Sequence, residues 1–89
     1  MSIKLMSAIW DLDLPRTETL IMLALADLAN DDGYCAPDMT KLARRCRIDR
    51  GSLAGWITKL ERAGWLTVRE GGAYFLNSEK ITRVIEATP

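Results

Sequence analysis

The side chains best suited to chemistry in this chain are basic, and they are concentrated in its middle. Residues 41–69 hold eight basic and two acidic residues, a net charge of +6. Residues 1–40 hold two basic and seven acidic residues, and residues 70–89 hold two and three, so the 89-residue chain carries no net charge. A basic segment in a neutral chain is the electrostatic signature of a surface that binds a polyanion, although a solvated helical face has the same composition.

Residues that would support catalysis or metal binding are scarce. The chain has no histidine, the commonest general base, and it has neither a glycine-rich phosphate loop nor a nucleophile elbow. Its two cysteines, Cys35 and Cys46, do not form a Cys-x-x-Cys pair, so we expect two separate reduced thiols and no zinc site. We therefore expect no enzymatic activity, and the sequence implies no metal, nucleotide or small-molecule cofactor.

Length and hydropathy predict one small domain over residues 1–89, with its core in residues 15–76. The hydrophobic fraction of 48% is typical of a globular protein. The longest apolar run, residues 20–26, is too short to cross a bilayer, and the N-terminus lacks the apolar region of a signal peptide. These features predict a cytosolic protein.

Two helices are predicted before residue 31. Residues 3–10 form a short apolar helix, and residues 15–30 form a longer one beginning at Pro15, whose fixed φ suits the first helical position. In the longer helix, apolar residues recur at helical spacing and form one face, which Ile21 and Leu25 widen. The recurring residues are Leu20, Leu23, Ala24 and Leu28. Residues 33–37 then form a connector or a small strand.

Two capped helices separated by a tight turn follow. Asp38 is a good N-cap for a helix over residues 39–46, and Asp49 caps a helix over residues 50–63. The second helix is amphipathic, with a buried stripe formed by Leu53, Ile57 and Leu60. Arg47 occupies the turn position where glycine is usual, and a non-glycine residue with positive φ is uncommon there.

A hairpin over residues 66–76 and a last helix over residues 79–87 complete the chain. With Gly71-Gly72 as a two-residue turn, Val68 lies opposite Phe75 and faces the core, and Arg69 lies opposite Tyr74 on the outside. Asn77 or Ser78 can cap the last helix. Its apolar stripe, which packs on the domain or on a partner chain, is Ile81, Val84 and Ile85.

This order of elements is that of a winged helix-turn-helix, a mainly α fold with a small β-hairpin. Residues 42–53 (LARRCRIDRGSL) and 60–66 (LERAGWL) resemble a common bacterial pattern of Leu-Ala, a hydrophobe, a cap residue and a helix ending in Leu-Glu-x-x-Gly-x-Leu. Together with residues 23–37, they resemble the N-terminal DNA-binding domain of phage and plasmid replication proteins and related prophage regulators. The resemblance implies binding of double-stranded DNA in the bacterial cytosol or nucleoid, at a replication origin or as a small transcriptional regulator.

Helix geometry then selects the residues expected to contact DNA. An α-helix fits the major groove and reads base edges from its N-terminal part, while a wing meets the minor groove or a phosphate. We expect Arg50 to read a guanine and the free N–H groups that begin helix 39–46 to hold a phosphate. Each residue is also explicable as a solvated side chain, so the set as a whole supports the prediction. The set is Thr40, Lys41, Arg44, Arg47, Arg50, Gly51, Ser52, Gly55, Trp56, Lys59 and Arg69.

Gly55 and Trp56 depart from the polar residues usual in the middle of such a helix. Gly55 allows close approach of DNA or another chain. Trp56 is expected to be at least half exposed, where it stacks on the sugar-phosphate surface, anchors a protein interface or packs on the wing.

The expected partner is double-stranded DNA, bound by a homodimer on two half-sites or in tandem on repeats. The last helix is a candidate dimer contact, and a helix that folds back onto its own core is the alternative. A replication or transcription protein is a second expected partner. A protein-interaction winged helix without DNA binding is the competing function.

Overall fold

The computed structural model describes residues 1–86 and contains five helices and three short strands in that range. The helices are α1 (Ile3–Trp10), α2 (Arg16–Leu28), α3 (Met39–Cys46), α4 (Arg50–Arg62) and α5 (Ser78–Glu86). The strands are β1 (Tyr34–Cys35), β2 (Leu66–Arg69) and β3 (Ala73–Leu76). This is the predicted mainly α, winged helix-turn-helix fold. The predicted helix end at Ala87 lies outside the described residues, as do the side chains of Val84 and Ile85.

The core is built around α2, whose buried face differs from the predicted one. Ile21, Met22 and Leu25 are fully buried, whereas Leu20 and Leu28 remain 39% and 45% exposed. Apolar residues surround most of this helix, so their pattern does not determine which side faces inward. Packing against α1 and α3 determines it. The other elements complete the core with Leu5, Ile9, Leu53, Leu60, Leu76 and Ile81.

The ends of α2 also differ from the prediction. Pro15 has φ −58° and ψ 158°, so it precedes the helix instead of occupying its first turn. Ala29 is extended, and the helix therefore ends at Leu28, two residues early. Gly33 follows with φ +97°, and a β-carbon there would collide with the carbonyl oxygen of Leu76. The glycine is required because β1 and β3 pair closely at this point.

The predicted caps of α3 and α4 are confirmed. The carboxylate of Asp38 accepts the N–H of Lys41 at 3.1 Å, and that of Asp49 accepts the N–H of Ser52 at 3.1 Å. Between the helices, Arg47 takes the left-handed conformation, with φ 60° and ψ 36°. The tight turn expected of a helix-turn-helix thus forms with arginine where glycine is usual.

The three strands form an antiparallel sheet in the order β1-β3-β2, and the predicted hairpin register is wrong by one residue. Val68 pairs with Tyr74 and Thr67 with Phe75, because Glu70 joins the two glycines in a three-residue loop. A shift of one residue moves each β3 side chain to the other face relative to β2. Tyr74, predicted outside, therefore lies on the core side and is buried, whereas its partner Val68, predicted in the core, lies on the same side near the loop and is 43% exposed.

The outer face of the sheet is aromatic. Phe75, predicted in the core, lies instead on this face, where its ring packs edge-on against that of Tyr34 with centroids 5.2 Å apart. The guanidinium carbon of Arg69 lies 5.2 Å from the centroid of the Phe75 ring. Arg69 is exposed, as predicted.

Helix α5 packs against α1 and buries Ile81, so it folds back onto its own chain. Of the two predicted caps, Asn77 is the one used: its side-chain oxygen accepts the N–H of Lys80 at 3.0 Å. Cys35 and Cys46 are separate buried thiols, and burial raises the pKa of Cys35 to about 11. Within residues 1–86, every helix is too short or too polar to traverse a bilayer.

Candidate nucleic-acid interface

The N-terminal ends of α3 and α4 converge on one surface. A guanidinium nitrogen of Arg50 (Nη1) donates to the hydroxyl of Thr40 across a distance of 3.3 Å. This contact places the first residues of α4 beside the first turn of α3. Lys41, which follows Thr40, is exposed next to it. The structure therefore brings together Thr40, Lys41 and Arg50 from the predicted set.

The basic side chains fall into two groups according to their ion pairs. Arg45 pairs with Asp27 at 3.1 Å, and Lys59 pairs with the buried carboxylate of Glu18 at 3.6 Å. Other exposed cations of the segment make no ion pair within the described residues. This unneutralised group consists of Lys41, Arg44, Arg47, Arg50, Arg62 and Arg69.

The outer face of α4 is a shallow depression lined by Ser52, Gly55, Trp56 and Lys59. These residues are one helical turn apart, which places them on one side of the helix. A β-carbon at Gly55 would have no atom within 4 Å, so the position is open to solvent. The depression therefore allows the backbone of α4 to approach another surface closely.

Trp56 is only partly buried, but it is less exposed than predicted. Its ring packs against the edge of the core cluster, which accounts for the difference. The ammonium of Lys59 lies 5.0 Å from the ring centroid, and the same nitrogen pairs with Glu18. Trp56 and Lys59 are therefore held together at the edge of the outer face of α4 that lies next to Glu18.

At the start of α3, where free N–H groups are expected to hold a phosphate, one N–H group is already bonded. The N–H of Lys41 already donates to Asp38, and this hydrogen bond lowers the pKa of the Asp38 carboxyl group. A carboxylate of the chain itself thus takes one of the N–H groups predicted for a phosphate. The side chains of Thr40 and Lys41 remain available to an anion there.

Ser52 is similarly engaged with its own cap. Its hydroxyl donates to Asp49 at 2.6 Å, and this bond, followed by that from the backbone N–H, lowers the pKa of Asp49. The Ser52 hydroxyl can still accept a hydrogen bond from a base, but it cannot donate one while its proton is bonded to Asp49. Gly51 lies exposed beside it in the first turn of α4.

Two residues relevant to this surface were missed by the sequence reasoning. Arg62 is exposed and lies seven residues after Gly55, a spacing that places both on one helical face and could have identified it. Glu18 gave no such signal, since its position beside Lys59 depends on how the fold brings α2 near α4. On the wing, Arg69 is accompanied by the exposed Glu70, so the loop itself has no net charge.

Comparisons with known proteins agree with this geometry. A family model described as a helix-turn-helix domain matches residues 12–66. The protein YmfN of Escherichia coli (strain K12) is 35% identical over 71 residues, which cover 75% of this chain and 16% of YmfN. The chain thus spans about one sixth of that relative. No solved structure matches the chain significantly. On the family match and the α3-turn-α4 geometry together, the chain belongs to the helix-turn-helix domain family.

Proposed function

We propose that this protein binds double-stranded DNA by placing α4 in the major groove. The observation that supports this most directly is the group of unneutralised cations around the converging ends of α3 and α4. Lys41 and Arg50 lie at these converging ends, Arg44 lies in the last turn of α3 and Arg47 in the turn that follows, and all four are exposed. Phosphate contacts from such side chains supply most of the sequence-independent affinity for DNA.

The residues of α4 take different roles in this proposal. Arg50, in the first turn, is the side chain suited to bidentate contact with guanine, once its bond to Thr40 is exchanged for the base. Gly55 lets the helix approach the groove floor. Lys59 and Arg62, further along α4, face the DNA backbone, and Arg69 contacts a phosphate beside the wing.

We further propose that the DNA site lies at a replication origin of a phage or plasmid, with transcriptional regulation as the alternative. The support is the resemblance of residues 23–37, 42–53 and 60–66 to replication proteins. Selection of bound duplexes from a random pool, followed by a search of the encoding replicon, tests it. Clustered repeats of the selected site in the origin would support replication, and a single site overlapping a promoter would support regulation.

DNA binding itself is tested by removing two cations that form no ion pair within the described residues. The double variant Arg44→Ala/Arg50→Ala should lose binding to a random-sequence duplex by about tenfold or more at low salt. Arg83→Ala, on α5, is the matched control, because Arg83 pairs with Glu79 away from this surface. Lys59 is a poor choice, since its loss leaves Glu18 buried without a partner. Unchanged affinity in the double variant would contradict the proposal and favour a protein-interaction module.

A further inference from the structure

Helix α1 presents an apolar face to solvent. Ile3, Ser7 and Trp10 are spaced by four and three residues, so they share one side of the helix. Ile3 is 68% exposed and Trp10 is 67% exposed. The opposite side of α1 is buried by Leu5, Ala8 and Ile9. Exposed tryptophan is enriched at the centres of protein interfaces, so this face is a candidate contact surface.

The exposed face continues into a groove between α1 and α2. Trp10 forms one wall, and Arg16, Thr19, Leu20 and Leu23 form the other. The groove has a volume of about 310 Å³, and its surface is almost entirely apolar. Ile3, Ser7, Trp10, Leu20 and Leu23 together define what we call the α1 patch. Because α1 packs mainly against α2 and α5, this patch is separate from the basic ends of α3 and α4.

Charges of both signs surround the α1 patch. Lys4 near the start of α1 and Asp11 just after its end are seven residues apart, so they flank the same side of the helix. Asp13 lies in the connection to α2, and Arg16 lies on the rim of the groove. Within the described part of the chain, none of these four side chains makes an ion pair. The surroundings of the patch therefore have no net charge, although residues 1–40 as a whole are acidic.

We propose that the α1 patch joins two copies of this chain in a symmetric dimer, with the two α1 helices antiparallel about Ser7. In this arrangement Lys4 of each copy lies beside Asp11 of the other copy. Ile3 of each copy enters the groove next to Trp10 of the other. An isologous interface requires such self-complementarity, because the same surface must serve both partners.

The charge distribution favours a second copy of this chain as the partner of the α1 patch. The surface around α3 and α4 is basic and repels its own copy, whereas the α1 patch is apolar at its centre and balanced at its edge. A standard interface buries about 800 Å² per partner, roughly one seventh of the 5553 Å² surface. Trp10 alone contributes on the order of 100–150 Å². The patch is therefore smaller than a standard interface, so we expect a weak dimer that binding to two DNA half-sites would strengthen.

Sedimentation equilibrium of the 89-residue chain, without DNA, tests the proposal between about 10 µM and 1 mM. We expect a dimer whose dissociation constant is on the order of 10–100 µM. Trp10→Glu should raise that constant about 30-fold or more, while circular dichroism confirms an unchanged fold. Leu28→Glu is the control for a new surface glutamate, because Leu28 is a 45% exposed leucine on α2 outside the patch.

A charge swap tests the antiparallel arrangement independently of the apolar contacts. Lys4→Glu alone and Asp11→Lys alone should each weaken the dimer by about three- to tenfold, and the double variant should recover it. A chain that is monomeric at about 1 mM would overturn the proposal and leave the patch for a different protein. A dimer unaffected by Trp10→Glu, or a double variant without recovery, would also overturn it. None of these outcomes depends on DNA binding.

Discussion

Replacing Gly55 should change stability and DNA affinity in opposite directions. The residue lies in the interior of α4, where glycine costs about 1 kcal/mol relative to alanine. A β-carbon there meets no atom within 4 Å, so nothing in the fold opposes a side chain. Gly55→Ala should therefore raise the free energy of unfolding by about 0.5–1 kcal/mol, and the thermal midpoint by roughly 2–8 °C. Leucine is nearly as good a helix former, so Gly55→Leu should be stabilised almost as much.

The effect on DNA should depend on side-chain size. A leucine fills the depression between Ser52 and Lys59, and it prevents close approach of α4 to the groove floor. We expect Gly55→Leu to weaken binding by about fivefold or more, since overfilling a packed contact costs about 1–3 kcal/mol. Gly55→Ala adds only one methyl group and should lose less than about fourfold. Thermal denaturation by circular dichroism and fluorescence anisotropy with a random-sequence duplex provide the two readouts.

Two results would refute this reasoning. A lower thermal midpoint in Gly55→Ala would show that the residue is not open and helical, which contradicts the local geometry of α4. Unchanged DNA affinity in a well-folded Gly55→Leu would show that the outer face of α4 does not enter the groove. Because Gly55→Ala and Gly55→Leu share the stability gain, a difference between them in affinity reports contact with DNA alone.

Three further changes test other contacts. Glu18→Gln should raise the affinity for a random-sequence duplex by about two- to fivefold, since it removes a negative charge 3.6 Å from the Lys59 ammonium. Weaker binding measured by fluorescence anisotropy would contradict this and mean that Glu18 positions Lys59 for DNA. The pKa of Asp49 is lowered in the folded protein, so its stabilisation should be present above the ordinary carboxyl pKa of about 4 and be lost as pH falls through the lowered value. Thermal midpoints measured from about pH 2 to 7 should show a smaller acid-dependent decrease in Asp49→Asn than in the wild type, and identical profiles would contradict this. Lys80 donates to the carbonyl of Ala63, and its ammonium lies 4.2 Å from the Trp65 ring centroid. Lys80→Met should therefore lower the free energy of unfolding in urea by about 1–2 kcal/mol. An unchanged unfolding midpoint would show that these contacts contribute nothing to stability.

The elements that position the interface could be predicted because their signals are local. Asp38 and Asp49 are good N-caps by residue type, and the bounds of α3 follow from its cap and from the apolar residues Leu42, Ala43 and Cys46. The resemblance places Arg47 at the turn position where glycine is usual, and the residue does take the left-handed conformation there. Such features depend on interactions within a few residues of each other, which the sequence records directly.

The predictions that were wrong concern features that depend on contacts between residues distant in sequence. The hairpin register depends on the pairing of β3 with β1 as well as on the Gly71-Gly72 turn. The two glycines considered alone predict a two-residue loop. The orientation of α2 leaves Leu20 and Leu28 exposed, because apolar residues occur on nearly all sides of the helix. The partial burial of Trp56 and the position of Glu18 likewise require the packing of α4 onto the core.

The most direct test of DNA binding is fluorescence anisotropy of the wild-type chain with a random-sequence duplex at several salt concentrations. If the unneutralised cations contact about four or five phosphates, log affinity should fall with log salt at a slope of about −4. Absence of binding at about 50 mM salt, or affinity independent of salt, would contradict the account and show that the basic surface does not bind DNA.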